Sequence, residues 1–156
     1  MSVIENSPRI TPFLWFDSNA EEAADFYIGV FKNSRRLNVQ RNTGGAPIPK
    51  GVPLTVAFEL DGQKFTALNG GPLFKFTEAI SFVVRCDTQE EVDYYWSKLT
   101  AGGSESQCGW LKDRFGLSWQ IVPARLSTLI EHPKAQQAMM KMKKLDIAEL
   151  ERAAQS

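Results

Sequence analysis

The sequence predicts an α+β fold in which one strand-helix-strand unit occurs twice, over about residues 9–72 and 79–123, followed by a helical tail over 124–156. Three observations predict it. The chain matches itself at an offset of 69 residues, setting "FLWFDSNAEEAADFY" (13–27) over "FVVRCDTQEEVDYYW" (82–96). In each copy a short apolar run leads into a segment with one apolar helical face. After each helix come runs rich in β-formers that close on a glycine-bearing turn. These hairpins repeat too, with Gly62 over Gly116 and Thr66 over Gln120.

In the first copy, Ser18 and Glu21 have capping-box spacing, and Ala20, Ala23, Ala24, Tyr27 and Phe31 recur on one helical face. Strands follow at "RRLNVQR" (35–41), "LTVAFEL" (54–60) and "KFTALNG" (64–70), the last two joined at Asp61 and Gly62, a hairpin dipeptide. The Gly/Pro-rich stretch 42–53 is too long for a simple turn and reads as a lid, a partner contact or an exposed mobile loop. "NGGP" (69–72) reverses the chain. In the second copy Asp87 or Thr88 caps a helix whose stripe is Val92, Tyr95, Trp96 and Leu99. "SESQCGWL" (104–111), a turn around Asp113 to Gly116 and "LSWQIV" (117–122) complete it. The tail reads as short helices broken near Pro133. Its apolar anchors Met139, Met140, Met142, Leu145, Ile147 and Leu150 are expected to pack on the body or on the twin subunit of a homodimer.

Composition narrows the function classes. The 156 residues balance 18 basic against 18 acidic side chains, which gives no electrostatic footprint for nucleic acid. No apolar run approaches a membrane span, and "MSVIENSPRI" lacks the apolar core of a secretion signal, so a cytoplasmic protein is expected. Cys86 and Cys108 lack metal or redox spacing and read as buried reduced thiols. The single histidine, His132, lies outside both copies and reads as a surface or capping residue.

Alternation along the aligned strands predicts two faces. Phe13, Trp15, Phe65, Ala67, Phe82, Val84, Cys86, Trp119 and Ile121 form an apolar face suited to helix cover. Pro12, Leu14, Phe16, Lys64, Thr66, Leu68, Ser81, Val83, Arg85, Ser118, Gln120 and Val122 fall on the other, where apolar walls and a few polar groups suit a small-ligand cleft. The alternative is that this face packs against the other half and its polar groups satisfy one another. Trp110 and Lys112 at the second hairpin could grip an anionic or aromatic guest, while Asp113 and Arg114 read as a solvated turn tip. Arg85, an inward charge on a central strand, needs a partner and is a candidate anion contact.

The stretches "TPFLWFDSNAEEAADFY", "LNGGPLFKFTEAISFVV", "CGWLKDRFGLSWQIVP" and "KMKKLDIAELERA" closely resemble the vicinal oxygen chelate superfamily, which includes glyoxalase I, ring-cleaving dioxygenases and bleomycin-resistance proteins. Within it they resemble the glyoxalase-like branch labelled demethylubiquinone methyltransferase-like. The resemblance covers about residues 9–153. It implies tandem βαβββ modules curled into a half-barrel around a pocket, commonly in a dimer. The metal enzymes of the superfamily take His or Glu ligands from positions that fall here on Pro12, Thr66, Ser81 and Gln120, the first with a possible shift of one residue. Hydroxyls and an amide are poor donors for a divalent transition metal. The methyltransferase label lacks the glycine-rich turn and acidic residue of a typical methyl-donor site.

These readings converge on a metal-independent small-molecule-binding protein with no cofactor and no nucleic-acid or membrane partner. Its expected ligand contacts are Thr66, Ser81, Arg85, Trp110, Lys112 and Gln120. The alternative is an enzyme, by resemblance a lyase, dioxygenase or methyltransferase, acting on a small carbonyl or aromatic-ring substrate. It would bind metal through unrecognised donors or use Lys112 and Asp113 as acid and base.

Overall fold

The structure, a computed structural model, describes residues 7–156. Its contacts divide the chain into two units, Met1–Lys75 and Phe76–Ser156. The first contains β1 (Phe13–Phe16), α1 (Ala20–Val30), β2 (Arg35–Arg41), β3 (Pro53–Leu60) and β4 (Gln63–Asn69). The second contains β5 (Ser81–Cys86), α2 (Gln89–Thr100), β6 (Ser104–Glu105), β7 (Trp110–Lys112) and β8 (Ser118–Pro123). Three tail helices follow: α3 (Leu126–Leu129), α4 (Pro133–Met140) and α5 (Ile147–Ala154). Each sheet has four strands, ordered β1-β4-β3-β2 and β5-β8-β7-β6. In each the first strand pairs in parallel with the last, and the other pairs are antiparallel. This is the βαβββ unit that the repeat predicts.

In the first unit, α1 covers β3 and β4. Ala20, Ala23 and Ala24 allow close approach of helix to sheet, and Tyr27 and Phe58 stack at 6.2 Å, with Phe58 on Phe65 at 5.4 Å. Val30 takes the buried place expected of Phe31, which caps the helix C-terminus instead. The β3–β4 hairpin turns at Asp61 and Gly62 with φ of 46° and 89°, the two positive values that a type I′ turn requires. Arg36 on β2 clamps α1 through Glu21 at 2.8 Å and Asp25 at 2.7 Å. Its hydrogen bond holds the Asp25 carboxyl below the usual range.

In the second unit, Val92, Tyr95, Trp96 and Leu99 bury the α2 stripe against β7 and β8. Thr88 accepts the cap bond from the Glu91 amide at 3.2 Å. The first helix is capped differently from the predicted Ser18 box. Its N-cap residue, Asn19, makes no side-chain cap bond, and the buried Asn69 at the end of β4 accepts from the Ala20 amide at 2.9 Å. Asn69 also donates to the Pro53 carbonyl at 2.8 Å, so one amide ties helix, β3 and β4 together.

Strand register corrects the predicted face of β1. Phe13 pairs with Thr66 and Leu14 with Ala67, so Leu14 and Phe16 face the helix and are buried, while Phe13 and Trp15 lie on the open face. The second unit follows its predicted faces, with Phe82 opposite Trp119 and Val83 opposite Gln120. The cause is one extra residue. Three residues, Asp17 to Asn19, link β1 to α1, whereas only Asp87 and Thr88 link β5 to α2. The helices therefore superpose at offset 69 and the first strands at 70, and a one-residue slip in a strand exchanges its faces.

Two further predicted segments are reshaped. The strand expected over 104–111 is broken after Glu105, where Cys108 and Gly109 take φ of 59° and 84°. A Cβ on Gly109 would sit 2.9 Å from the Ile121 carbonyl, too close for any side chain. The 42–53 loop is organised by the buried Asn42. Its side chain donates to the Ala46 and Ile48 carbonyls and accepts from the Gly44 and Ala46 amides.

In the tail, Leu129, Met142, Leu145 and Leu150 form a buried cluster, whereas Met140, an expected anchor, is exposed. The Cys108 and Gly109 amides donate to the Met142 and Lys143 carbonyls, and Gln89 bonds the backbone of both Leu145 and Ile147. Among the described residues no helix is long and apolar enough to cross a membrane.

Candidate ligand site

A cavity of about 360 Å³ lies on the open face of the first sheet. Register builds it. Phe13, Thr66 and Ala57 form one row across β1, β4 and β3, and Thr55, next along that face of β3, pairs with Gln40 on β2. Ala57 offers only a methyl group at the centre of this face, so the larger residues around it enclose space. Asn38, Gln40, Thr55 and Thr66 supply amides and hydroxyls, Phe13 supplies an apolar wall, and Ser7, Pro8, Arg9 and Thr11 form the remaining side.

The lining determines what this cavity can do. Its neutral amides and hydroxyls donate and accept hydrogen bonds, and Arg9 adds a cation. Among the described residues the lining contains no carboxylate, imidazole or thiol. It is suited to holding a small polar guest.

Of the expected ligand contacts, only Thr66 belongs to this cavity. The other five lie in the second unit. There Trp110 pairs with Gln120 as Ala57 pairs with Thr66, so an indole stands where the first sheet has a methyl. The Gln120 amide donates to the Ser81 hydroxyl at 2.9 Å. Arg85 is 73% exposed and lies 3.8 Å from Asp87, so it is a solvated charge rather than the inward one expected. Lys112 pairs with Glu78 and, with Trp110 and Ser118, lines a smaller hollow of about 230 Å³.

Asp113 departs from its expected place at a solvated tip and is unavailable as an acid or base. It is buried, and its carboxylate accepts from the Phe115 and Leu117 amides at 2.8 and 3.1 Å and from the Trp119 indole N–H at 2.8 Å. It builds the turn. Cys86 is buried, and burial pushes its thiol up to about 12, far from thiolate chemistry at neutral pH. Cys108 is partly exposed, contrary to expectation, with its Sγ 3.8 Å from the Met140 sulfur.

Sequence reading missed Arg9, Thr11, Phe13, Asn38, Gln40, Thr55 and Ala57. The signal was present in β2 and β3, where Asn38 and Gln40, and Thr55 and Ala57, stand two apart and so share a face. The resemblance-derived metal positions also shift. Ser81 stands two residues before the Val83–Gln120 pair, and two residues before the Phe13–Thr66 pair is Thr11, not Pro12. The set Thr11, Thr66, Ser81 and Gln120 still offers only hydroxyls and an amide, a poor fit to a transition metal. Among the described residues no three His, Cys, Asp or Glu side chains come together as a metal site.

Comparison with solved structures places the fold. The PhnB protein from Bacillus cereus is 34% identical, with a TM-score of 0.69 over 75% of this chain and 100% of its own. Protein PA1353 from Pseudomonas aeruginosa is 21% identical, with a TM-score of 0.61 over 75% of this chain and 98% of its own. The fosfomycin resistance protein FosX from Listeria monocytogenes, complexed with Mn(II) and sulfate, is 19% identical, with a TM-score of 0.52 over 74% of this chain and 90% of its own. The last two show likeness of fold alone. No curated protein matches the sequence. The 3-demethylubiquinone-9 3-methyltransferase family matches residues 8–122, most of the chain, and the protein belongs to that family, a glyoxalase-like branch of the vicinal oxygen chelate superfamily.

Proposed function

We propose that this protein is a metal-independent small-molecule-binding protein that holds a small polar guest in the first-unit cavity. One observation carries the reading: a space of about 360 Å³ is walled by Asn38, Gln40, Thr55, Thr66 and Phe13, with no carboxylate, imidazole or thiol among the described lining residues. That volume lies within the usual range of ligand pockets, and a few fixed donors and acceptors on apolar walls give orientation as well as burial. The family name adds no chemistry at the glycine pair. Gly70 packs against the Trp15 indole, whose N–H donates to the Gly71 carbonyl at 2.9 Å, so both glycines serve the end of the first unit.

Thermal-shift screening of a broad metabolite set tests the proposal, because a guest that binds the native state raises its melting temperature. The isosteric Thr66→Val variant is expected to fold normally and to weaken a discovered guest about tenfold by removing one buried hydrogen bond. Unchanged affinity in that variant, or stoichiometric transition metal in freshly purified protein, would overturn the reading.

A further inference from the structure

The small hollow in the second unit has its own chemistry, independent of the first cavity. Lys112 on β7 pairs with Ser104 on β6 and with Ser118 on β8, so a hydroxyl, an ammonium and a second hydroxyl form one row across three strands. Ser118 is completely buried and its hydroxyl has no hydrogen-bond partner, although it lines a hollow of about 230 Å³. A buried hydroxyl without a partner is costly, and a ligand atom is one way to satisfy it. The Lys112 ammonium already holds a carboxylate, that of Glu78, whose side chain is 60% exposed and whose acidity its hydrogen bond to Lys112 strengthens. The Trp110 indole gives the hollow a flat apolar wall. Glu105, the other acid in the lining, accepts from the Trp96 indole N–H at 3.1 Å.

We infer that this hollow is a binding site for a small planar carboxylate, which displaces Glu78 from Lys112, accepts a hydrogen bond from Ser118 and lies against Trp110. Glu78 is the resident carboxylate that the ligand replaces. The volume limits the guest to less than drug size.

Titration with benzoate, followed by backbone amide shifts of Lys112 and Ser118, tests the site, with benzamide as the uncharged control. Removing the competing carboxylate in Glu78→Gln, a surface change that leaves the fold intact, is expected to tighten benzoate binding about tenfold and leave benzamide unchanged. Adding Lys112→Gln to that variant is expected to reverse the gain. Adding Ser118→Ala instead is expected to weaken benzoate about fivefold without lowering the melting temperature. The inference fails if Glu78→Gln binds benzoate no more tightly than the native protein, if benzamide gains equally, or if Ser118→Ala leaves affinity unchanged. It also fails if benzoate moves neither amide in Glu78→Gln.

Discussion

The two units share one strand order and one helix placement, yet at the centre of their open faces one has Ala57 opposite Thr66 and the other Trp110 opposite Gln120. A methyl leaves space that neighbouring amides and hydroxyls can enclose. An indole takes that position in the second sheet, and the nearby amide turns to Ser81. The fold is thus fixed by the helix-facing residues, which are apolar in both units. The open faces differ at their centres by one side-chain volume, Ala57 against Trp110.

The turns differ as sharply as the faces. The first hairpin closes on an exposed I′ dipeptide, whereas the second closes around the buried carboxylate of Asp113. Asp113→Ala strands two amides and the Trp119 indole N–H, and a loss of about 4 kcal/mol is expected in urea denaturation. Asp61→Asn in the first hairpin should change stability by less than about 0.5 kcal/mol. Similar losses at the two positions would break the contrast. The helix caps rank next. Asn69→Ala removes bonds to both Ala20 and Pro53 and is expected to cost about 2 kcal/mol, against about 1 kcal/mol for Thr88→Ala, which removes one exposed cap bond. Equal costs would mean that the cap supplied from β4 is no stronger than the local one.

The smallest effect at neutral pH attaches to Cys86, which ends β5 where Phe16 ends β1. With its folded value raised from 9.0 to about 12 by burial, the Cys86 thiol adds stability that is complete below pH 9 and is lost as pH rises through about 12. Maleimide labelling of the native protein at pH 8 should therefore modify Cys108 and spare Cys86, as read by peptide mass. Fast labelling of Cys86 would show that the α2-covered face of the second sheet opens readily.

The architecture was legible because helix stripes and hairpin turns repeat in type as well as spacing, and Asp61–Gly62, Thr88 and the α2 stripe stand where the pattern puts them. The β1 faces were not, because the extra residue between Phe16 and Ala20 leaves no trace when the better-matching helices set the alignment. The helix cap on α1 was hidden for another reason. Asn69 is 49 residues from the amide it satisfies, and local spacing cannot report such a bond. Asp113 looked like an ordinary polar turn residue until Trp119 gave its carboxylate a buried partner. The cavity was half legible. Thr66 followed from the hairpin repeat, but Gln40, Thr55 and Ala57 required the register of β2 and β3.

Ala57 keeps the first-unit cavity open at the position where the second sheet has Trp110. Fragment screening by amide-resolved NMR on the native protein and on Ala57→Trp tests it most directly. Fragments are expected to shift the Thr55 and Thr66 amides of the native protein and to leave them unmoved in Ala57→Trp, whose second-unit spectrum stays the same. Fragments that still bind at Thr55 and Thr66 in Ala57→Trp, or a native protein that binds none there, would contradict the account.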